Sequence, residues 1–345
     1  MDNSTSMSNF VLSPFVSYLT DIQQALTWSM LSFLILGNIG NLLNCFVFLQ
    51  RSLRSNPCSH YLFVSSITNS IALSFTIPTG IYEMKQISLT SYSLIYCKLR
   101  LYIYHSLLMI SRYLIILACF DRACLSSRRP TIRNLSHVRF ARILSLFTII
   151  FWFIGAVHLP LVVKIQFGYC TLPGVYPLIF SIYAVIFAGI IPPVAMTIFS
   201  AFTLRNLHSI HVRIHSTSAP TNSIMRQRDL HLIRMLTAQV IIYVLTTTPY
   251  PLNTLYAAIT LSTPKSSDRQ AIEGFIYFVT STFLLFINPS ATFYIYFTTS
   301  KAFRTELQAA CKRLWLTVLR KPQNQSSVRN ISSKVQPQAI PRQTR

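Results

Sequence analysis

Apolar positions in this chain neither alternate nor keep to one helical face; they fill whole runs. Residues 22–50, 55–82, 143–163, 165–204, 235–264 and 274–300 contain no Asp, Glu, Lys or Arg, and residues 101–120 are interrupted only by Arg112. A helix rises about 1.5 Å per residue, so about 20 residues cross the roughly 30 Å hydrocarbon core of a bilayer. Each run is long enough to cross once. Taken in chain order as segments one to seven, they predict an all-α membrane protein built as a seven-transmembrane helix bundle.

Composition supports this reading over a soluble one. The 345 residues are 52% hydrophobic and 11% charged, whereas soluble domains carry about a quarter charged residues. The net charge of +22 is distributed by side. Residues 1–25 hold no Lys or Arg. Arg51 and Arg54 follow segment one, five arginines from Arg128 to Arg142 follow segment three, and five from Arg205 to Arg234 lie between segments five and six. Ten more cations run from Lys301 to Arg345. The opposite side holds Lys85, Lys98, Arg100, Lys164, Lys265 and Arg269. The positive-inside rule then predicts an extracellular N-terminus and a cytoplasmic C-terminus in a multi-pass plasma-membrane protein. Cations lining one membrane face suit anionic lipid headgroups, so no nucleic-acid partner is expected.

Four regions follow. Residues 1–25 form an extracellular N-terminus with a glycosylation sequon at Asn3 and no basic leader region, so segment one is expected to serve as signal anchor. Residues 26–300 form the membrane domain. Residues 301–320 place Phe303, Leu307, Ala310, Cys311 and Leu314 on one helical face, an amphipathic membrane-surface helix in which Cys311 is either a lipidation site or a free thiol. Residues 321–345 are polar and are expected to be disordered. Of the seven cysteines, only Cys97 and Cys170 fall on the oxidising side, so a disulfide between them is expected.

Catalytic motifs are missing: there is no P-loop, nucleophile elbow, HExxH or paired CxxC pattern. No acid lies mid-membrane, where an ion pump would place one. No His or further Cys completes a metal site with Cys119 and Cys124. The sequence is read as a non-enzyme with no cofactor and no metal.

The order of short motifs is more specific. Segment one carries Gly40-Asn41, and Asp121-Arg122 begins 24 residues after Cys97. Segment four has Trp152 and Pro160, segment five Pro192-Pro193, segment six Pro249, and the final helix opens with Phe303-Arg304. With these features the chain resembles a rhodopsin-like (class A) G-protein-coupled receptor over residues 26–320. Details such as LRSNPCS and LACFDR are most similar to neuropeptide (FMRFamide-like) receptors. The resemblance implies an extracellular ligand, a heterotrimeric G protein and arrestin as partners. It also implies that Arg122 is held by Asp121, and by Asp229 at the foot of segment six, until agonist binding favours an outward swing of that helix.

Departures from the family pattern are equally specific. Ala123 replaces the usual Tyr, Asn69 the usual sodium-binding Asp, and Thr246-Thr247-Thr248-Pro249 the tryptophan toggle. Segment seven allows two alignments. Asn288-Pro289 would place Thr292 at the motif tyrosine, whereas counting back from Phe303 places Tyr296 there; the second is preferred. Arg112 lies mid-membrane, where a cation costs at least ~2.5–3.5 kcal/mol. Pro192 and Pro193 free the carbonyls of Ala188 and Gly189. Arg112 is therefore expected to bond these carbonyls and the Tyr243 hydroxyl, in a connector with Pro193 and Pro249.

Ligand chemistry is narrowed mainly by exclusion. No lysine in segment seven can hold retinal, and Tyr104 stands where amine receptors carry Asp. The candidates for ligand contact are Glu83, Tyr104, Tyr250, Glu273 and Tyr277, a set of acids and aromatics suited to a peptide with cationic and aromatic groups. The alternatives left by the sequence are a constitutively active or non-signalling decoy receptor, and a seven-helix channel or transporter.

Overall fold

The computed structural model describes residues 14–85, 93–166, 169–214 and 223–319. Seven helices are long and apolar enough to span a membrane. They are α1 (Pro14–Phe48), α2 (Pro57–Tyr82), α3 (Leu94–Leu125), α4 (Val138–Val162), α5 (Tyr176–Asn206), α6 (Leu232–Ile259) and α7 (Ser267–Thr299). A further helix, α8 (Lys301–Leu319), follows α7. The sequon at Asn3 and the polar tail from 321 onward lie outside the described residues.

The chain forms a multi-pass, all-α seven-helix bundle organised around α3. Of the apolar window of α3, 72% is buried, against 22–50% for the other spans. Its inward residues Met109, Ile110, Leu114 and Ile115 pack with Leu62 of α2, Trp152 of α4, Met196 of α5 and Tyr243 of α6 in one continuous core. The outward faces are apolar as well. Ile143, Phe147, Ile150 and Ile154 of α4 and Ile35, Leu36, Ile39 and Leu42 of α1 are exposed. A water-soluble helix presents a polar face there, so these surfaces belong to an apolar solvent.

Local sequence sets the breaks in these helices. Asn56 accepts from the Cys58 N–H at 3.0 Å and Pro57 takes the first helical position, which starts α2. Pro249 cannot donate to the preceding turn, and α6 is interrupted at Thr248 just before it. Ahead of Pro192-Pro193 the helix widens into a π-helical segment, Val185–Ile190, which leaves carbonyls without helical partners. Residues 165–166 and 169–171, inside the fifth charge-free run, are strand and not helix. Lys164–Gln166 pairs antiparallel with Tyr169–Thr171, and α5 begins only at Tyr176. Absence of charge does not distinguish a short strand from a helix, so the run overstated that span.

Glycines set the approach of neighbouring helices. A Cβ on Gly37 would meet Leu73 and Ser290, and one on Gly40 would stand 2.9 Å from the Phe293 Cβ. Beyond α7, Ser300 caps α8 by accepting from the Phe303 N–H at 3.1 Å. Arg304 donates to the Phe297 and Thr298 carbonyls at the end of α7. Phe303, Leu307 and Ala310 turn towards the bundle, while Cys311 and Leu314 are exposed. The predicted amphipathic face is therefore split between protein and solvent.

Gly40→Ala is expected to lower stability. Overpacking against Phe293 costs about 1–3 kcal/mol, which exceeds the gain of up to ~1 kcal/mol from helix propensity. Thermal unfolding of the purified protein in detergent checks this, and an unchanged or raised Tm would contradict the close α1–α7 approach.

Candidate functional site

Four polar features lie along the bundle axis. At one end, α3 finishes with Asp121 and Arg122, both nearly inaccessible (4% and 2% exposed) and joined by a two-point hydrogen-bonded ion pair. Asp121 also accepts from Ser136 Oγ at 2.7 Å, and Arg122 donates from Nη2 to Asn56 Oδ1 at 3.0 Å. The pair is thereby tied to the loop after α3 and to the start of α2. Removing one member of a buried pair strands the other and costs about 3–5 kcal/mol. Beside Arg122 opens a cavity of about 310 Å³, lined by Asn56, Leu125, Ser136, Leu232, Met235 and Phe303 among others. The side chain of Asp229 lies outside the described residues, and so does any pairing it makes with Arg122.

Buried amides and hydroxyls join the helices at mid-bundle. Asn41 of α1 donates to the Pro289 carbonyl at 3.0 Å and accepts from Thr292 Oγ1 at 3.2 Å. Ser111 of α3 donates to Asn69 of α2 at 2.5 Å, and Gln239 of α6 donates to Asn288 of α7 at 2.6 Å. Thr292 thus faces α1, while Tyr296 packs against Phe48 and Phe303 with ring centroids 6.1 and 6.0 Å away.

The connector differs in detail from the expectation. Tyr243, fully buried on α6, donates to the Ala188 carbonyl at 2.7 Å, and Tyr113 of α3 donates to the Phe187 carbonyl at 3.2 Å. Tyrosines, not Arg112, hold the carbonyls exposed by the widened segment before Pro192-Pro193. Arg112 is buried (6% exposed) and turned inward, and its hydrogen bond goes to Met109 Sδ at 3.4 Å. The physical reason is reach. A helix 6 phenol meets the α5 carbonyl directly, whereas the guanidinium folds back along its own helix. At the same level Gly189 admits Pro251, whose Cγ would stand 2.9 Å from an added Cβ. Pro249 marks the α6 break just above.

At the other end, Cys97 at the start of α3 is disulfide-bonded to Cys170 in the second strand, with Cα atoms 5.9 Å apart. This bond pins the strand pair over the bundle. Beneath it lies a cavity of about 440 Å³ that Tyr104, Tyr250 and Tyr277 line together with Arg100, Gln23 and Phe286. Tyr104 donates to the Ser281 carbonyl at 3.3 Å. Glu273 is placed elsewhere, bound to Lys265 at 2.5 Å, to Arg269 at 2.8 Å and to Tyr256 at 3.0 Å. The side chain of Glu83 lies outside the described residues. Among the described residues, the charged side chain lining the cavity is Arg100.

Sequence reasoning did not find Asn56, Ser136, Tyr113 or Met109 as partners. The Asn56-Pro57 pair carries a legible signal, the helix-start pattern; the other three have none. Among the described residues no three His, Cys, Asp or Glu side chains converge. No known family profile matches this chain, and no curated protein sequence matches it.

Tyr243→Phe is expected to lower Tm more than Tyr113→Phe. The first orphans a buried carbonyl, a loss of about 1–3 kcal/mol, while the bond of Tyr113 is longer and only partly buried. Thermal melts of the two variants side by side provide the check, and equal losses would count against a special α5–α6 link.

Proposed function

We propose that this chain is a rhodopsin-like G-protein-coupled receptor of the plasma membrane, without enzymatic activity, with its N-terminus outside and its C-terminus in the cytoplasm. The observation that carries the reading is the buried Asp121–Arg122 pair beside a cavity at one mouth of the bundle, with a disulfide-roofed cavity at the other. Ligand entering the Cys97 end, a neuropeptide in this proposal, acts on Tyr104, Tyr250 and Tyr277. The contact with α6 through Tyr250 and the proline break at Pro249 give a physical route to helix 6. An outward motion of its inner half widens the cavity beside Arg122 and admits the G protein, and arrestin follows at the same face. The ligand shifts this equilibrium only by its differential affinity for the two arrangements.

The Asp121–Arg122 pair favours the closed arrangement, so Asp121→Asn is expected to raise ligand-independent G-protein recruitment several-fold in transfected cells. Asp229→Ala is expected to act in the same direction. Basal recruitment unchanged in both variants at equal surface expression would remove the latch. A wild-type chain with maximal basal recruitment would favour a constitutively active receptor, and no recruitment under any peptide a decoy.

An epitope on the C-terminus is expected to be stained only after cells are permeabilised. Staining of intact cells would overturn the orientation, and the receptor reading with it.

A further inference from the structure

Arg112 poses a charge problem that the receptor reading does not use. Its guanidinium sits mid-bundle, 6% exposed, and its hydrogen bond is to a thioether sulfur, a weak acceptor. A guanidinium stays protonated in any protein environment. Each of the chain's eight acids lies near a span end or beyond it. The nearest on the same helix, Asp121, is nine residues away, about 13.5 Å along the axis. Among the described residues no carboxylate forms an ion pair with Arg112.

Its surroundings do not neutralise it either. Tyr104, His105, Tyr113, Tyr183, Tyr243 and Tyr250 lie within electrostatic reach of the guanidinium. The hydroxyls of Tyr104, Tyr113 and Tyr243 donate to carbonyls, and that of Tyr183 is paired with His105. Neutral phenols and an imidazole offer dipoles to a buried cation but do not supply a counter-charge. Tyr104 and Tyr250 belong both to this group and to the lining of the cavity at the Cys97 end, so these two phenols stand between that cavity and Arg112.

We propose that Arg112 holds a small monovalent anion of the chloride class inside the bundle, reached past Tyr104 and Tyr250. The guanidinium supplies several N–H donors and a full positive charge in a low-dielectric setting, where such a pairing is strong. The anion fills the role that a carboxylate plays in other buried ion pairs. This site goes beyond the receptor reading and does not depend on it.

The test is thermal unfolding of the full chain in detergent, exchanging chloride for gluconate at constant ionic strength. A saturable rise in Tm of at least about 2 °C with chloride is expected, reproduced by bromide, kept by Arg112→Lys and lost in Arg112→Met. A Tm indifferent to the exchange, or an equal rise in Arg112→Met, would overturn the proposal. Should Arg112→Met fail to fold, wild-type crystals grown in bromide decide. An anomalous peak at hydrogen-bond distance from the guanidinium supports the site, and its absence refutes it.

Discussion

Polar groups inside an apolar bundle have no water to turn to, so each must find a partner among the others. That constraint organises the middle of this molecule. Asn41 reaches the Pro289 carbonyl, Ser111 reaches Asn69, and Gln239 reaches Asn288. Each bond joins two different helices. Helix α3, the most buried span, contributes Ser111 to one of them and carries Tyr104 and Tyr113 to carbonyls of α7 and α5. The apolar core around Met109 and Tyr243 sets the distance between helices, while these polar bonds set their rotation.

The same constraint explains why prolines and tyrosines occur together. Pro192 and Pro193 deprive α5 of two donors, and the helix widens over Val185–Ile190. The carbonyls thus exposed would be costly in an apolar setting. Tyr243 and Tyr113 satisfy them from α6 and α3, so a local defect in one helix becomes a bond between three. Pro249 interrupts α6 a turn and a half beyond Tyr243. A helix that is anchored on one side of a break and loose at the break itself is suited to pivot there. Here the break in α6 and a buried bond between α5 and α6 lie within two turns of each other.

The two mouths differ in how charge is handled. At the Arg122 end, cation and acid are adjacent in sequence and buried together, with Ser136 and Asn56 each adding a hydrogen bond to the pair. At the Cys97 end, Glu273 is drawn into a cluster with Lys265 and Arg269, away from the cavity. Among the described residues the cavity wall is made of phenols, apolar side chains, the amide and hydroxyl groups of Gln23, Thr27, Thr76, Ser281 and Thr282, and the single cation Arg100. Glu273 thus stands apart from the wall where residue types alone had grouped it with Tyr104, Tyr250 and Tyr277.

The seven spans, the pairing of Cys97 with Cys170 and the adjacency of Asp121 and Arg122 were legible in the chain itself. They rest on one-dimensional quantities: run length against membrane thickness, cysteines on one side, and two neighbours on one helix. What only the folded molecule decided was the choice among competing partners. Nothing in the sequence distinguishes a guanidinium reaching the Ala188 carbonyl from a phenol doing so; helix rotation gave it to Tyr243 and turned Arg112 back to Met109. Nor does a charge-free run tell the strand pair Lys164–Gln166 and Tyr169–Thr171 from a longer helix, or an acid facing a cavity from one paired with Lys265. Hydrogen bonds between distant segments depend on angles and distances of an ångström or so, and these emerge only when all the helices pack at once.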